Sequence, residues 1–324
     1  MANVMKSRIF RGLFKSTKSK IAVLAFLIIV LVIVVLAAAF LFLGNTKTAG
    51  KLICKKNYFL STSSPYVLPE AGSPNKPEDH KPAIEKKTTN GIYGDQKVPI
   101  LTYHYVEPVP PFTTLPNLYE DPKVFENQLS VLKNNSYNAI FVRDLGRTFY
   151  RQDSIPAHPI ILTFDDGYGD FYTTVFPLLK KYNMKAVLYV IVNAVDKPGY
   201  ITSAQAKEMA HSGYVEIGSH TMDHVNLKKA NDKDAYNQLF ESKKKLSEII
   251  GKPVEDFAYP FGFFSDRDRS IVNKVGYLTA ASTYPGVMQS YKDRFSLFRL
   301  RPNNRMDKQF LDWLRAEENR QENN

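Results

Sequence analysis

The chain of 324 residues is predicted to be an α/β protein, a distorted (β/α) barrel preceded by a single N-terminal transmembrane helix. Three features of the sequence support this prediction. An uncharged apolar run near the N-terminus is long enough to cross a membrane. From residue 98 onward, short apolar runs alternate with helical patterns, which is typical of a parallel sheet covered by helices. Polar residues follow several of these runs, at the strand ends where barrel enzymes carry their chemistry.

The composition excludes several classes of protein. Hydrophobic residues make up 44% of the chain and charged residues 23%, so the chain as a whole is not disordered. The single cysteine, Cys54, excludes an internal disulfide framework and a cysteine-based zinc cluster. Of the net charge of +11, ten positive charges lie in residues 1–56, which contain no acid. Because the remainder is nearly neutral, the charge does not indicate nucleic-acid binding.

The N-terminal region predicts a membrane anchor. Residues 1–20 form a basic segment, and residues 21–43 are 23 apolar residues without a charge. As a helix this run spans about 35 Å, enough to cross a hydrocarbon core of about 30 Å. The basic residues before it place the N-terminus in the cytoplasm, so the rest of the chain is expected outside the cell membrane. The alternative is a signal peptide cleaved near residues 37–39 (Ala-Ala-Ala), although its apolar core would be unusually long.

Two regions follow the predicted anchor. Residues 44–96 are rich in Ser, Thr, Pro, Asn and Lys without a sustained period, which indicates an extracytoplasmic linker. Residues 97–324 form the predicted folded domain. Its nearly continuous apolar runs indicate strands that are buried on both faces, predicted at 98–103, 159–164, 185–192, 215–218, 257–259 and 277–282.

Helices are predicted between these strands from their apolar periodicity and end signals. Asp121 and Pro122 are typical of a helix N-cap and first helical position, and Gly213 and Gly251 of helix ends. The predicted helices cover residues 123–133, 172–182, 203–211, 232–250 and 266–275, with a last amphipathic helix after Met306.

Four predicted strand ends carry polar groups. Asp165 and Asp166 follow one strand, His220 and His224 follow another, Pro260-Phe261-Gly262 follow a third, and His104 follows the first. Each pattern taken singly has an ordinary structural explanation, such as a turn for Asp-Asp-Gly. Together they are more specific, because strand ends of a parallel barrel meet at one face.

The same residues predict a metal site. Two adjacent carboxylates in an apolar strand mouth repel each other unless a cation neutralises one of them. Asp166, His220 and His224 form a three-ligand set that leaves an open position for water, and Asp165 is then placed to act as a general base. Two nitrogens and one oxygen suit Zn²⁺, with Co²⁺, Ni²⁺ or Fe²⁺ as alternatives.

The residues carry a resemblance to a known family. Residues 162–168 (LTFDDGY) and 219–224 (SHTMDH) resemble the first two motifs of the polysaccharide deacetylases, carbohydrate esterase family 4, which share the NodB homology domain. The resemblance extends from about residue 98 to 303. It implies a distorted (β/α) barrel and the hydrolysis of N-acetyl groups on N-acetylglucosamine polymers.

By position in these motifs, the resemblance implies a role for each site residue. Asp165 would be the base, and Asp166, His220 and His224 the metal ligands. Tyr259, Pro260 and Phe261 would lie on the substrate side, where the Phe261 N–H would help to hold the oxyanion.

Two departures from the family pattern concern the acid and the base. Ala258 stands where the third motif usually begins with an arginine that orders the base, and Arg299 is the predicted replacement. No histidine follows His224, so the usual C-terminal source of the general acid is absent. Residues 99–106 resemble the opening of the subgroup that includes poly-β-1,6-N-acetylglucosamine deacetylases, in which this histidine, His104, would supply the acid.

Other functions fit parts of the sequence. The chain could be a catalytically inactive relative that binds surface glycans, an interpretation favoured by Ala258 and the missing histidine. It could be a structural membrane protein whose outer domain serves only for contacts. A deacetylase could act on poly-β-1,6-N-acetylglucosamine, peptidoglycan, chitin oligomers or acetylated xylan. The sequence does not specify protein partners.

Overall fold

The computed structural model describes residues 95–151 and 154–320. The predicted basic segment, anchor and most of the linker therefore lie outside the described residues. Within the described part, no helix has both the length and the apolar character that a membrane span requires.

A curled parallel sheet forms the centre of the fold. Its strands run in the spatial order β2-β4-β5-β6-β7-β8, and β3 pairs with the N-terminal end of β4. The bounds are β2 Ile100–Tyr103, β3 Asn138–Ala139, β4 Pro159–Phe164, β5 Ala186–Val190, β6 Val215–Ser219, β7 Asp256–Ala258 and β8 Thr279–Ala281. A separate antiparallel pair joins β1 (Gln96–Lys97) to β9 (Met288–Gln289).

An irregular segment joins the two edges of this sheet. Leu297 makes a parallel bridge to Ala281 of β8, and Leu300 makes a parallel bridge to Leu101 of β2. The Leu300 N–H donates to the Ile100 carbonyl at 2.7 Å, and the Thr102 N–H donates to the Leu300 carbonyl at 2.9 Å. The predicted distorted barrel is thus confirmed, with a short non-strand segment taking the place of a regular closing strand.

Helices cover the outer face of the sheet, except the second, whose buried Val142, Leu145 and Phe149 pack in the same cluster as Ile100 and Ile161. Their bounds are α1 Pro122–Asn134, α2 Val142–Arg151, α3 Phe176–Tyr182, α4 Ser203–His211, α5 Asp232–Ile250, α6 Asp266–Val275 and α7 Asp307–Arg320. The Asp121 side chain accepts from the Lys123 N–H, which confirms the predicted cap. The helix predicted from residue 172 begins instead as a π-helical turn, Phe171–Val175, that continues into α3.

Several predicted bounds change for identifiable reasons. The predicted strand 98–103 begins only at Ile100, because Pro99 lacks an N–H and separates β2 from β1, which lies before the predicted start. The predicted strand 185–192 ends at Val190 because a 3-10 turn follows. Strand β3 and helix α2 were not predicted. Strand β3 has only two residues, too few for a periodic signal.

Alternating residues of the strands face two different parts of the core. Leu101, Leu162 and Leu188 pack with the covering helices, whereas Ile100 and Ile161 belong to a second cluster inside the curl of the sheet. This period of two places residues of one parity on the inner face. Asp165, His104 and His220 continue the inner rows just beyond the strand ends, so the strands deliver these three side chains to one place.

Candidate active site

Asp166, His220 and His224 converge at the carboxyl ends of β4 and β6. The Asp166 Oδ1 atom lies 3.4 Å from His220 Nε2 and 3.3 Å from His224 Nε2. One ligand atom from each residue lies within 4.8 Å of the others. Asp166 and His220 are buried, whereas 28% of the His224 side chain is exposed. The set is therefore closed on the protein side and accessible from solvent on the other.

The loops that carry these residues have unusual backbone angles. Asp166, Thr221 and His224 have φ values of 76°, 69° and 55°, in the left-handed region that non-glycine residues rarely adopt. Neighbouring backbone bonds hold this conformation, including the His220 N–H to the Val190 carbonyl at 2.9 Å and the Val192 N–H to the Thr221 carbonyl at 3.2 Å. Strained backbone held in this way is frequent at functional sites.

The chemistry of this set fits a divalent metal. Asp166 Oδ1 is buried and has no hydrogen-bond donor among the described residues, so it is an acceptor without a proton partner. His220 Nδ1 lies 2.7 Å from the Ala258 carbonyl, which fixes the ring proton there and leaves Nε2 with a free lone pair. Burial, and then the neighbouring His220, lower the pKa of His224, which favours the neutral imidazole that a metal ligand requires.

Asp165 is held by Arg299 in a bidentate ion pair. Arg299 Nη1 and Nη2 lie 2.7 and 2.8 Å from the two Asp165 oxygens, and both side chains are almost fully buried. The guanidinium is positioned in turn by the Ser282 carbonyl at 2.7 Å and the Thr163 hydroxyl at 3.2 Å. Burial alone would raise the pKa of Asp165, but the charge and hydrogen bonds of Arg299 outweigh it and hold that pKa well below its usual range.

His104 lies beside this pair. Its Nε2 atom is 4.0 Å from Asp165 Oδ2, because β2 and β4 are neighbours in the sheet and both residues follow a strand end. Burial lowers the pKa of His104, an effect opposed by the charges of Asp165 and Asp166. The structure thus brings together all five residues predicted for acid, base and metal chemistry, and Arg299 with them.

The segment after β7 requires one correction. Phe261 has φ 61° and is 55% exposed, and its ring centroid lies 4.5 Å from that of His224. The Tyr259 ring, by contrast, is fully buried and its hydroxyl donates to the Phe295 carbonyl at 3.0 Å. Because Tyr259 and Pro260 are buried, their side chains belong to the core and not to a sugar-binding surface.

A glycine fixes the turn that exposes Phe261. Gly262 has φ 72°, and a Cβ atom at this position would lie only 1.9 Å from the Thr283 hydroxyl oxygen. The close approach of this backbone to Thr283 therefore requires glycine.

A cleft beside the metal-ligand set was not predicted. It has a volume of about 310 Å³, and Asn193, Lys197, Tyr200 and Asp223 line it together with Tyr168. The Tyr168 ring stacks on Tyr105 at 3.7 Å and lies 5.2 Å from Tyr200. The tyrosines at positions 105 and 168, just after two strand ends, were the signal in the sequence that could have indicated this cleft.

Comparison with known proteins identifies the family of this chain. A family model described as polysaccharide deacetylase matches residues 153–280. The YxkH protein of Bacillus subtilis, assigned to the polysaccharide deacetylases, is 30% identical over 232 residues, which span 70% of this chain and 80% of YxkH. The chain belongs to the polysaccharide deacetylase family.

Two further relatives extend this result. A poly-beta-1,6-N-acetyl-D-glucosamine N-deacetylase of Staphylococcus aureus is 26% identical over 165 residues. These residues span 47% of the present chain and 57% of the Staphylococcus aureus protein. The structure of the Streptococcus pyogenes deacetylase PplD in complex with acetate matches with a TM-score of 0.64 and 27% identity, over 69% of this chain and 99% of that one. The resemblance to carbohydrate esterase family 4 is confirmed, and the curled sheet is the barrel of that family.

Proposed function

We propose that this polysaccharide deacetylase is a metal-dependent hydrolase that removes N-acetyl groups from an N-acetylglucosamine-containing cell-surface polysaccharide and releases acetate. The observation that carries the proposal is the juxtaposition of the Asp166, His220 and His224 set with an Arg299-paired Asp165 and with His104. Zn²⁺ is the ion that this donor set suits best, and Co²⁺, Ni²⁺ and Fe²⁺ are alternatives.

The mechanism assigns one task to each residue. A divalent ion held by Asp166, His220 and His224 would polarise the acetamide carbonyl and acidify a water molecule. Asp165, kept ionised by Arg299, accepts the proton of the attacking water. The Phe261 N–H lies on the exposed turn and donates to the developing oxyanion.

His104 completes the reaction by protonating the leaving amine. Because burial lowers its pKa, the imidazole is mostly neutral at rest and needs a nearby proton source. Asp165 supplies that proton, since only 4.0 Å separates its Oδ2 atom from His104 Nε2. Proton transfer from water through Asp165 and His104 to nitrogen breaks the C–N bond and leaves acetic acid and the glucosamine amine, and the acid then loses its proton to give acetate.

Poly-β-1,6-N-acetylglucosamine and peptidoglycan are the proposed substrates. The Staphylococcus aureus relative is named for the first polymer, although the chain spans little more than half of that protein. The acetate in the Streptococcus pyogenes structure is the product expected from any of these substrates. The catalytically inactive alternative loses part of its basis, because Arg299 occupies the place beside the base that Ala258 leaves open.

We also propose that residues 21–43 anchor the enzyme in the cell membrane with its catalytic domain outside. The support is the length and hydropathy of this run and the basic segment before it. Proteolysis of intact cells tests this topology. Residues 97–324 should be digested from outside, and a protected full-length chain would contradict the proposal.

The test of the activity is acetate release by the full-length chain with Zn²⁺ or Co²⁺. The substrates are poly-β-1,6-N-acetylglucosamine, peptidoglycan, chitin oligomers and acetylated xylan, and the preferred polymer identifies the substrate. Asp165→Asn and His104→Ala should each lower kcat by about 10²–10⁴-fold, the usual contribution of a proton-transfer group. Lys308→Ala is the control and should keep full activity, because Lys308 is exposed on α7 and does not line the cleft. Metal binding without acetate release from any polymer would favour the glycan-binding alternative.

A further inference from the structure

His104 borders a small cavity that Asp165 does not line. Its volume is about 10 Å³, roughly the space that one water molecule needs. Thr102, Glu120, Arg301 and Asn303 line it together with His104. Thr102 and His104 are two residues apart on the same strand row, so their side chains point to the same face.

Two polar atoms at this place have no hydrogen-bond partner among the described residues. They are the His104 Nδ1 atom and the Thr102 hydroxyl oxygen, and both are buried. Buried polar groups are almost always hydrogen-bonded, directly or through water. Two unpartnered atoms on a cavity of this size therefore indicate a bound water molecule between them.

Glu120 supplies the third polar group of the cavity, and its position is fixed. Its N–H donates to the Tyr105 carbonyl at 2.9 Å, and its Oε1 accepts from Gln128 Nε2 at 3.1 Å. Gln128 is fully buried and also donates to the Arg305 carbonyl at 2.9 Å. Burial raises the pKa of Glu120 to about 8, against the Gln128 hydrogen bond and the Arg305 charge, so at neutral pH the carboxyl can donate as well as accept.

We propose that Glu120 is a positioning residue for His104, acting through one water molecule that also contacts the Thr102 hydroxyl. The water holds His104 Nδ1 inward and so directs Nε2 toward Asp165 and the leaving amine. This inference rests on the proposed function for its catalytic consequence, but not for its structural content.

The experiment compares Glu120→Gln, Glu120→Met and Thr102→Val in the full-length chain. Glutamine keeps a neutral donor and acceptor at the cavity, whereas methionine removes both. Thr102→Val replaces an unpartnered hydroxyl by a methyl group of the same shape, so a purely structural role predicts no loss of stability. Glu126→Met is the matched control, because Glu126 pairs with Lys181 and does not line the cavity.

The first readout is the pair of ¹⁵N resonances of the His104 ring, assigned by their loss in His104→Ala. Glu120→Met and Thr102→Val should change the tautomer populations of this ring, whereas Glu120→Gln and Glu126→Met should not. The second readout is kcat, expected to fall about tenfold in Glu120→Met and Thr102→Val, the scale of one lost hydrogen bond. KM should change little.

The outcomes separate this inference from the proposed function. Unchanged His104 resonances in both Glu120→Met and Thr102→Val overturn the inference, whatever happens to kcat. Changed resonances in a protein that releases no acetate support the positioning and contradict the deacetylase activity. If Glu120→Met is unfolded, Thr102→Val alone decides, because it leaves Glu120 and Gln128 in place.

Discussion

Among single residues, Arg299 lies beside Asp165, where the family pattern would place an arginine from another part of the chain. The family pattern has an arginine at the position of Ala258, which precedes Arg299 by 41 positions in the chain. In the structure the Ala258 carbonyl orients His220, and the guanidinium beside Asp165 comes from the segment that joins the sheet edges. The two requirements of the site, an oriented ligand and an ionised base, are thus met by different parts of the chain.

Removing Arg299 should affect both stability and activity. Arg299→Met leaves the Asp165 charge buried and unpaired, which is expected to cost about 3–5 kcal/mol in the free energy of unfolding. Acetate release should fall by at least about 10²-fold, because the base is no longer held or kept ionised. Urea denaturation and an acetate assay measure the two effects.

A double variant identifies the cause. Asp165→Asn added to Arg299→Met removes the unpaired charge, so it should recover stability without recovering activity. Arg294→Met is the control for loss of an arginine that contacts Tyr150 and Tyr291 instead. If the double variant is no more stable than Arg299→Met, then the unpaired Asp165 charge is not the cause of the lost stability.

At the scale of elements, the inner face of the barrel below the site holds two buried carboxyls. Glu216 of β6 and Asp256 of β7 are almost fully buried, and the Thr279 hydroxyl donates to Asp256. Burial, and then the charge of Asp256, raise the pKa of Glu216, and burial raises the pKa of Asp256. Neighbouring carboxyls with raised pKa values share a proton, as like charges in an apolar interior require.

This pair should make stability depend on pH. A carboxyl whose pKa is raised on folding contributes stability that is complete below its unfolded pKa of about 4 and is lost as pH rises through the folded value. Glu216 hydrogen-bonds to Asp256 through the shared proton. In Glu216→Gln the amide N–H can donate to Asp256 instead, so no shared proton is needed. The range from about pH 5 to about pH 8 lies above the unfolded pKa. Over this range the free energy of unfolding should therefore fall less in Glu216→Gln than in the parent chain.

Urea denaturation at several pH values in this range measures the difference. Glu208→Gln is the control, because that glutamate is exposed on α4 and contacts only Tyr172 among the hydrogen bonds described for it. Parallel pH profiles of Glu216→Gln and the parent chain would mean that the pair does not share a proton in the folded protein.

At the scale of the whole molecule, metal binding should stabilise the folded state. The residues of the candidate metal site come from the turns that follow β4 and β6, so only the folded chain brings them together. A ligand of the folded state at 100 times its Kd adds about 2.7 kcal/mol to the free energy of unfolding. Zn²⁺ or Co²⁺ should thus raise the unfolding midpoint of the full-length chain, and a chelator should reverse the effect.

The adjacent carboxylates provide a matched pair of variants. Asp166→Asn should abolish the metal-induced rise of the midpoint, whereas Asp165→Asn should retain it, because only Asp166 faces both histidines. Equal loss in both variants would contradict the division of roles between ligand and base.

Much of the fold and most of the site could be predicted from local sequence patterns. The nearly continuous apolar runs predicted β4 with its observed bounds. Helical patterns predicted α4, α5 and α6, with glycine stop signals after the first two. Short elements such as β3 have too few residues for a periodic signal. The burial of the Tyr259 ring could not be predicted, because the sequence does not show whether an aromatic side chain near a site is exposed or buried.

The local sequence was enough to predict the residues of the site and the sheet edge at which they lie. Parallel strands place their ends together, so Asp165, Asp166, His220, His224 and His104 were predictable as one group. The folded structure pairs Asp165 with Arg299, the partner that the sequence suggested, and it shows what lies behind His104, which the sequence did not indicate. Both depend on residues brought close by closure of the sheet and by packing of the loop before α1, contacts between distant positions that leave no local pattern in the chain.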